Sequence, residues 1–312
     1  MSDASIGVVA CLFTVLCWTV GTFAFTTSAR LISPATLNRV RLLYALIILS
    51  ILTCIIEQFS PLQLVAGPEI AQFMWFGLSG MIGFTLGDYF AFHSFRILGG
   101  RRASVFICIS PAAALVCGMI ILDEHLSMAG IIGMAISIAG IMLLSLSRAE
   151  KLTVHEEGHG HFVQGISYAM LGAACQGVGL VFSKQGFLVG EHPIAAIHAT
   201  WIRLIAATIS AYAIGAFRTN FMVELKNVTL KAHIFRPVII GSIVGPVLGV
   251  TASLVGVSKI DASVAQTLLS LTPISVTIAS ALFFRERIRM LSYISVVLSI
   301  IGVIILVWRD SL

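Results

Sequence analysis

The sequence predicts an all-α integral membrane fold, in which ten transmembrane helices form two inverted five-helix repeats around a central cavity. Of the 312 residues, 58% are hydrophobic and only 11% are charged. Soluble globular domains carry about 25% charged residues. The apolar residues also fall into ten continuous runs, each long enough for a span of about 20 residues. These observations exclude a soluble enzyme or binding domain of ordinary composition.

The ten predicted spans are joined by short connections, many of them marked by proline or glycine. The first run is preceded by no Lys or Arg and is followed by no small-residue cleavage site, so we expect a retained helix and not a signal peptide. The spans cover residues 6–28, 35–56, 70–94, 102–122, 127–147, 163–187, 193–217, 237–257, 263–284 and 290–308.

An internal repeat relates the two halves of the sequence, with an offset of 162 residues that equals the separation of Arg41 from Arg203. The predicted domains are a first repeat over 1–147, a polar linker over 148–162 and a second repeat over 163–312. Because each repeat has an odd number of helices, the second enters the membrane in the opposite sense. The matched pairs include Arg41 and Arg203, Gly83 and Gly245, Gly87 and Gly249, and Pro111 and Pro273.

Two corresponding segments carry a more specific pattern, "GGRRASVFICISPAAALVCG" (99–118) and "IDASVAQTLLSLTPISVTIA" (260–279). Each has an alanine-rich entry and a proline-centred helix, and each is followed by a glutamate and a glycine-containing last helix. In these features both repeats resemble the EamA-type repeat of the ten-helix members of the drug/metabolite transporter superfamily. The resemblance implies a basket of helices with a central cavity and transport of small metabolites, commonly outward.

Paired glycines and prolines are candidates for structural or gating roles. Glycines four residues apart let helix backbones approach closely, and they either pack statically or let one bundle move against another. The prolines are predicted in mid-helix, where they bend the chain for packing or around a shared cavity. The residues concerned are Gly83, Gly87, Gly245, Gly249, Pro111 and Pro273.

Asp88 is a carboxylate inside the third predicted span, where a charge costs at least about 2.5–3.5 kcal/mol. The matching residue of the second repeat is Val250, so the repeat itself does not require an acid here. Three interpretations remain open. Asp88 is a structural partner of Arg41, a proton-coupling or cation-binding group in the cavity, or a side chain that reaches the interface beside Arg101 and Arg102.

Arg203 lies about 15 Å into the seventh predicted span. Its match with Arg41 favours a shared structural role, whereas the lack of an acid in the eighth and ninth spans favours attraction of a substrate carboxylate or phosphate. Further polar or aromatic groups at suitable depth for substrate or proton binding are Trp18, Thr22, Gln176, Gln266 and Ser270.

The segment "HEEGHGH" (155–161) crowds metal-ligand residue types together, but no helical spacing orders them and they lie between the repeats. We interpret it as a linker and expect no metal site and no cofactor. Cysteines with no CxxC or Cys/His spacing indicate free thiols packed among helices; they are Cys11, Cys17, Cys54, Cys108, Cys117 and Cys175.

The distribution of positive charge predicts the orientation. Of the 19 Lys and Arg residues, thirteen lie in odd-numbered connections and three in even-numbered connections or tails. The positive-inside rule then places the odd connections in the cytoplasm and both termini outside. Many proteins that the chain resembles keep both termini in the cytoplasm, so this orientation is a departure from them.

We expect a secondary active transporter of the cytoplasmic membrane and not an enzyme. The absence of a Walker A sequence excludes an ATPase in the same chain. A lipid-carrier flippase is the alternative, and a lipid enzyme is a weaker one because no nucleophile–base set is found. Asp88 favours a cationic substrate and Arg203 an anionic one, so an amino-acid-like zwitterion is preferred. The expected partners are this metabolite, protons and the bilayer, with no nucleic acid, for a monomer or homodimer.

Overall fold

The structure is a computed structural model that describes most of the chain. The described residues are 2–29, 32–56, 58, 64–65, 67–147, 159–216, 232–284 and 290–309. Every regular element within these ranges is helical. The greater part of the predicted linker over 148–162 lies outside the described residues.

Helices follow one another through the described ranges, and two of them contain a π-helical stretch. They are α1 (Asp3–Ala29), α2 (Pro34–Ile56), α3 (Ile70–Gly80), π1 (Met81–Gly87), α4 (Asp88–Ile107), α5 (Ser110–Ile121), α6 (Met128–Ser147), α7 (His159–Leu188), α8 (Ala196–Ala216), α9 (Ala232–Ser242), π2 (Ile243–Gly249), α10 (Val250–Lys259), α11 (Ala262–Leu269), α12 (Thr272–Phe284) and α13 (Met290–Val307).

Length and hydropathy identify the membrane-spanning helices. Among the described residues, nine helices are long and apolar enough to cross a membrane, and α5 is a shorter apolar helix. A span needs this length because every backbone N–H and C=O in hydrocarbon must be satisfied within the helix. The predicted all-α membrane fold is confirmed.

The offset of 162 residues predicted from the sequence also relates the helix boundaries. From α2 onward, matching elements begin at residues separated by this distance, including the two π-helical stretches. The pairs are Pro34 of α2 and Ala196 of α8, Met81 of π1 and Ile243 of π2, Asp88 of α4 and Val250 of α10, and Ser110 of α5 and Thr272 of α12.

One predicted connection is wrong. The sequence suggested that the chain leaves the helix near Leu98, Gly99 and Gly100, but α4 continues through them to Ile107 and the chain turns only at 108–109. Glycine weakens a helix by only about 1 kcal/mol. Two glycines with helical residues on both sides therefore do not by themselves end the helix.

The predicted mid-helix positions of Pro111 and Pro273 are also wrong. Both prolines lie in the first turn of a new helix, α5 and α12, directly after turns at 108–109 and 270–271. Proline suits this position because the first N–H groups of a helix have no intrahelical acceptor. The prolines inside helical segments are Pro237 of α9 and Pro246 of π2.

The chain divides into two compact units, and each of them contains segments of both repeats. The first unit comprises residues 1–85 and 182–260, and the second comprises 86–181 and 261–312. In the first unit, α2, α3, α8 and α10 meet at a core of fully buried side chains. Its largest members include Leu42, Leu49, Phe76, Ile202 and Leu254.

In the second unit, the matching helices α6 and α13 cross through faces of small residues. A Cβ added at Gly140 would lie 2.7 Å from the backbone N of Ser299, and one added at Gly302 would lie 2.6 Å from the carbonyl oxygen of Gly133. No side chain fits at either position without moving backbone, so glycine is required for this close approach.

Candidate functional site

Asp88 is the first residue of α4 and lies within the candidate span Ile70–Ala91. The carboxylate is half-buried, and Nε2 of Gln176 in α7 donates to its Oδ1 at 3.3 Å. Gly172 brings α7 close to α4, because a Cβ there would lie 3.2 Å from the backbone N of Ala91. Two predicted site residues, 88 positions apart in the chain, thus meet in the second unit.

Aromatic rings follow Asp88 along α4. The rings of Tyr89 and His93 stack with centroids 4.1 Å apart, and Nδ1 of His93 lies 2.7 Å from the carbonyl oxygen of Tyr89. Tyr168 of α7 contacts His93 edge-on and also lies against Phe90. The carboxylate is therefore followed by polar-tipped aromatic side chains and not by a purely aliphatic surface.

Arg203 lies in the candidate span Ala196–Gly215 of the first unit and is only 4% exposed. Its Nε is enclosed and has no hydrogen-bond acceptor among the described residues. The guanidinium carbon lies 4.6 Å from the ring centroid of Phe84 in π1. Gly80, one turn before Phe84, contacts the backbone of Arg203. A Cβ added at Gly80 would overlap the carbonyl oxygen of Arg203.

Arg41, the repeat counterpart of Arg203, has a different environment. Its Nε donates to Oδ1 of Asn38 at 2.8 Å, and its guanidinium lies 5.7 Å from the ring of Phe25. Nδ2 of Asn38 in turn donates to the carbonyl oxygen of Phe84 at 3.2 Å. The proposed pairing of Arg41 with Asp88 stays a prediction.

Trp18 and Thr22, predicted as site residues, lie on α1 in the first unit. Trp18 packs against Gly249 of π2, where a Cβ would lie 2.8 Å from its Cδ1. The hydroxyl of Thr22 is exposed and donates to the carbonyl oxygen of Trp18 at 2.7 Å. The glycine in π2 therefore provides the space that this indole occupies.

Gln266 and Ser270 lie at the end of α11 in the second unit. Nε2 of Gln266 donates to Oγ of Ser110 at 3.0 Å, and Oγ of Ser270 donates to the carbonyl oxygen of Gln266 at 2.8 Å. Ser110 begins α5, so this hydrogen bond joins α11 to the start of α5. It satisfies a buried amide and fits a packing role for Gln266.

Several contributors were not predicted from the sequence. Neither π-helical stretch was foreseen, although the four glycines Gly83, Gly87, Gly245 and Gly249 mark their third and seventh positions. Asn38 was also missed; the available signal was an amide three residues before Arg41, hence on the same helix face. Glu124, whose carboxylate accepts the backbone N–H of Ala262 at 3.0 and 3.1 Å, was noted only as part of the repeat.

The described residues hold no cluster of three or more His, Cys, Asp or Glu side chains that could bind a metal ion. Most of the segment 155–161 lies outside them, so the linker interpretation stays a prediction. All six cysteines are free thiols, as predicted.

Comparison with known proteins gives one family and one fold. The model described as the EamA-like transporter family matches residues 5–146 and 163–308. No curated protein matches the chain. Among solved structures 29 chains match, including a crystal structure of a protein with 17% identity and a TM-score of 0.74, over 97% of each chain. At this identity the likeness concerns the fold.

Proposed function

Because the chain belongs to the EamA-like transporter family, we propose that it is a secondary active transporter that exports a small polar or amphipathic metabolite in exchange for protons. The family consists of membrane transporters of the drug/metabolite transporter superfamily. The finer proposal has three parts. The substrate is an amino-acid-like compound, the direction is outward, and coupling occurs by alternating access across the cytoplasmic membrane.

The observation that carries the coupling proposal is the carboxylate of Asp88 within a candidate span. Intramembrane acids are costly, and they are usually retained for ion or proton pathways. One of its partners, Gln176, is a neutral amide. An amide N–H can donate to a carboxylate oxygen and equally to the carbonyl oxygen of the protonated acid. This partner therefore supports both protonation states, as a proton-exchanging carboxyl requires.

The coupling follows from the difference in hydration between conformations. When Asp88 faces water it ionises, and when it is enclosed in a low dielectric the neutral form is favoured. A proton taken up on one side and released on the other can then drive the metabolite in the opposite direction. Replacement by Asn keeps the shape and the hydrogen bond to Gln176 but removes the exchangeable proton.

The test is transport of radiolabelled amino acids by Asp88→Asn in proteoliposomes. Counterflow needs no net proton movement, so we expect it to survive, while uphill transport driven by a pH gradient falls to background. Asp123→Asn is the matched control, since this carboxylate lies in the same unit with 94% of its side chain exposed. It should leave both activities unchanged. Uphill transport at the wild-type rate in Asp88→Asn would contradict the coupling proposal.

The orientation is a separate proposal that rests on the charge bias of the connections. We propose that both termini lie outside the cytoplasm. A periplasmic reporter enzyme fused after Leu312 should then be active, and a cytoplasmic reporter at the same place inactive. The reverse result would overturn the orientation and leave the fold unaffected.

A further inference from the structure

Four arginines lie within candidate spans of the first unit. Arg236 is exposed, and the other three differ in their hydrogen bonds. Nε of Arg39 donates to the carbonyl oxygen of Ala35 at 3.2 Å, and Nε of Arg41 donates to Asn38 at 2.8 Å. Nε of Arg203 has no acceptor within the described part of the chain, although Arg203 is the most buried of these three arginines. The sequence match between Arg41 and Arg203 thus conceals a difference in how each charge is accommodated.

Nearby backbone acceptors are already used by other side chains. The carbonyl oxygen of Phe84, which carries the ring under the guanidinium, accepts from Asn38. The carbonyl oxygen of Ala207, one turn beyond Arg203, accepts from the hydroxyls of Thr85 and Ser210 at 3.0 and 3.1 Å. The Phe84 oxygen thus has one side-chain donor and the Ala207 oxygen has two, and neither oxygen accepts from Arg203.

Burial of this charge has a cost that its aromatic neighbour does not offset. Moving an ion out of water is costly even after relaxation, and a single desolvated cation–π contact recovers only part of that cost. A structural role would be served better by an arginine with an acceptor, as at Arg41. An arginine without one is suited to a negative group that is supplied from outside the chain.

The geometry favours a carboxylate. The guanidinium carbon lies over the Phe84 ring. The N–H donors of a guanidinium lie in its own plane, where a planar carboxylate accepts two parallel hydrogen bonds. One positive charge balances one carboxylate, whereas a phosphate dianion would leave a buried negative charge uncompensated. Because Nε is enclosed here, the ligand reaches it in a conformation in which the surrounding helices have opened.

We propose that Arg203 binds the carboxylate of the transported metabolite through the N–H groups on the Nε side of its guanidinium. The ring of Phe84 packs against the guanidinium and holds it in place. This assignment rests on the proposed transport function and specifies a substrate that carries at least one carboxylate. It excludes purely cationic and uncharged metabolites from tight binding.

The test measures thermal melting of the purified protein against matched ligand pairs. The probes are hexanoate, benzoate and leucine, each compared with its primary amide, together with inorganic phosphate. A ligand that binds the folded state raises the melting temperature in proportion to ln(1 + [L]/Kd). We expect at least one carboxylate to stabilise the wild type more than its amide does, and phosphate to have a smaller effect.

The variants identify the residue. In Arg203→Gln the advantage of carboxylate over amide should disappear, which corresponds to a loss of affinity of about tenfold or more for a charge-assisted pair. Arg203→Lys keeps the charge without the planar fork and should retain only part of the advantage. Arg236→Gln removes an exposed arginine of the same unit and should behave like the wild type.

The melting temperature without ligand separates binding from structure. Removing a buried charge that has no hydrogen-bond acceptor among the described residues should leave the stability of Arg203→Gln unchanged or higher. A large drop in the melting temperature of Arg203→Gln, together with a wild-type carboxylate advantage in Arg203→Lys, would assign a structural role and overturn the proposal. The proposal would also be overturned if no carboxylate stabilised the wild type more than its amide does. Binding is measured without a gradient, so failure of proton coupling at Asp88 is a distinguishable result.

Discussion

In the first repeat the chain passes from π1 into α4 at Asp88, and in the second it passes from π2 into α10 at Val250, 162 residues later. The backbone geometry is the same at both places, but only one of them carries a charge. Asn38, which reaches across to Phe84, likewise corresponds to Thr200, which bonds to Ala196 in its own helix. The π-helix glycines and the first-turn prolines are shared by the repeats, whereas these polar contacts are individual.

The difference has a physical basis. Backbone conformation depends on local residue types, such as proline in the first turn of α5 and α12. A polar side chain in a membrane span needs a specific partner or a function, and such a partner comes from another helix. The repeats can therefore keep a common backbone while each acquires its own polar contacts.

The largest effect is expected where the repeats are alike, at the crossing of α6 and α13. Gly140→Leu and Gly302→Leu place side-chain atoms into opposing backbone, and overpacking of this kind costs about 3 kcal/mol or more. We expect both variants to lose the monodisperse peak in size-exclusion chromatography after purification.

Gly77→Ala is the control for this prediction. A Cβ at Gly77 lies 3.7 Å from Cβ of Ala206, which is an ordinary contact, so this variant should purify like the wild type. If only one of the two leucine variants fails, the repeats do not depend equally on this crossing.

An intermediate effect is expected where the repeats differ. Asn38→Leu removes the donor to Phe84 and the acceptor of Arg41 Nε, and we expect a loss of about 2–3 kcal/mol in the free energy of unfolding. Thr200→Val removes a hydroxyl that bonds within its own helix, and we expect less than about 1 kcal/mol. Reversible denaturant unfolding in mixed micelles measures both, and equal losses would contradict the distinction.

The smallest effect on stability is expected at 260–261, where the helix is interrupted between α10 and α11. The matching part of the first repeat is the continuous helix α4. Lys259 pairs with Asp3 at 2.9 Å, but their side chains are 38% and 70% exposed, so Lys259→Gln should change the unfolding free energy by less than about 0.5 kcal/mol. Asp261 pairs with Arg309, and these side chains are 29% and 16% exposed. Asp261→Asn should cost about 1 kcal/mol; a larger effect of Lys259→Gln would reverse this ranking.

Sequence reasoning worked where a property is carried by many residues. The spans, the fold class and the repeat offset each rest on averages over long segments, so single errors did not matter. Among site residues, Asp88 and Gln176 were both selected by their depth, and the structure joins them. Their contact itself could not be foreseen, because it depends on how α7 approaches α4 at Gly172.

The sequence by itself determined that this chain is an all-α membrane protein with a duplicated architecture, because hydropathy and residue spacing are local properties. Only the tertiary structure decided that α4 continues through Gly99 and Gly100. It also decided that, among the described residues, Nε of Arg41 has an acceptor and Nε of Arg203 has none. These outcomes depend on groups supplied by distant parts of the chain. The free energy of a buried polar group is set by its neighbours in space, and one sequence does not contain those neighbours explicitly.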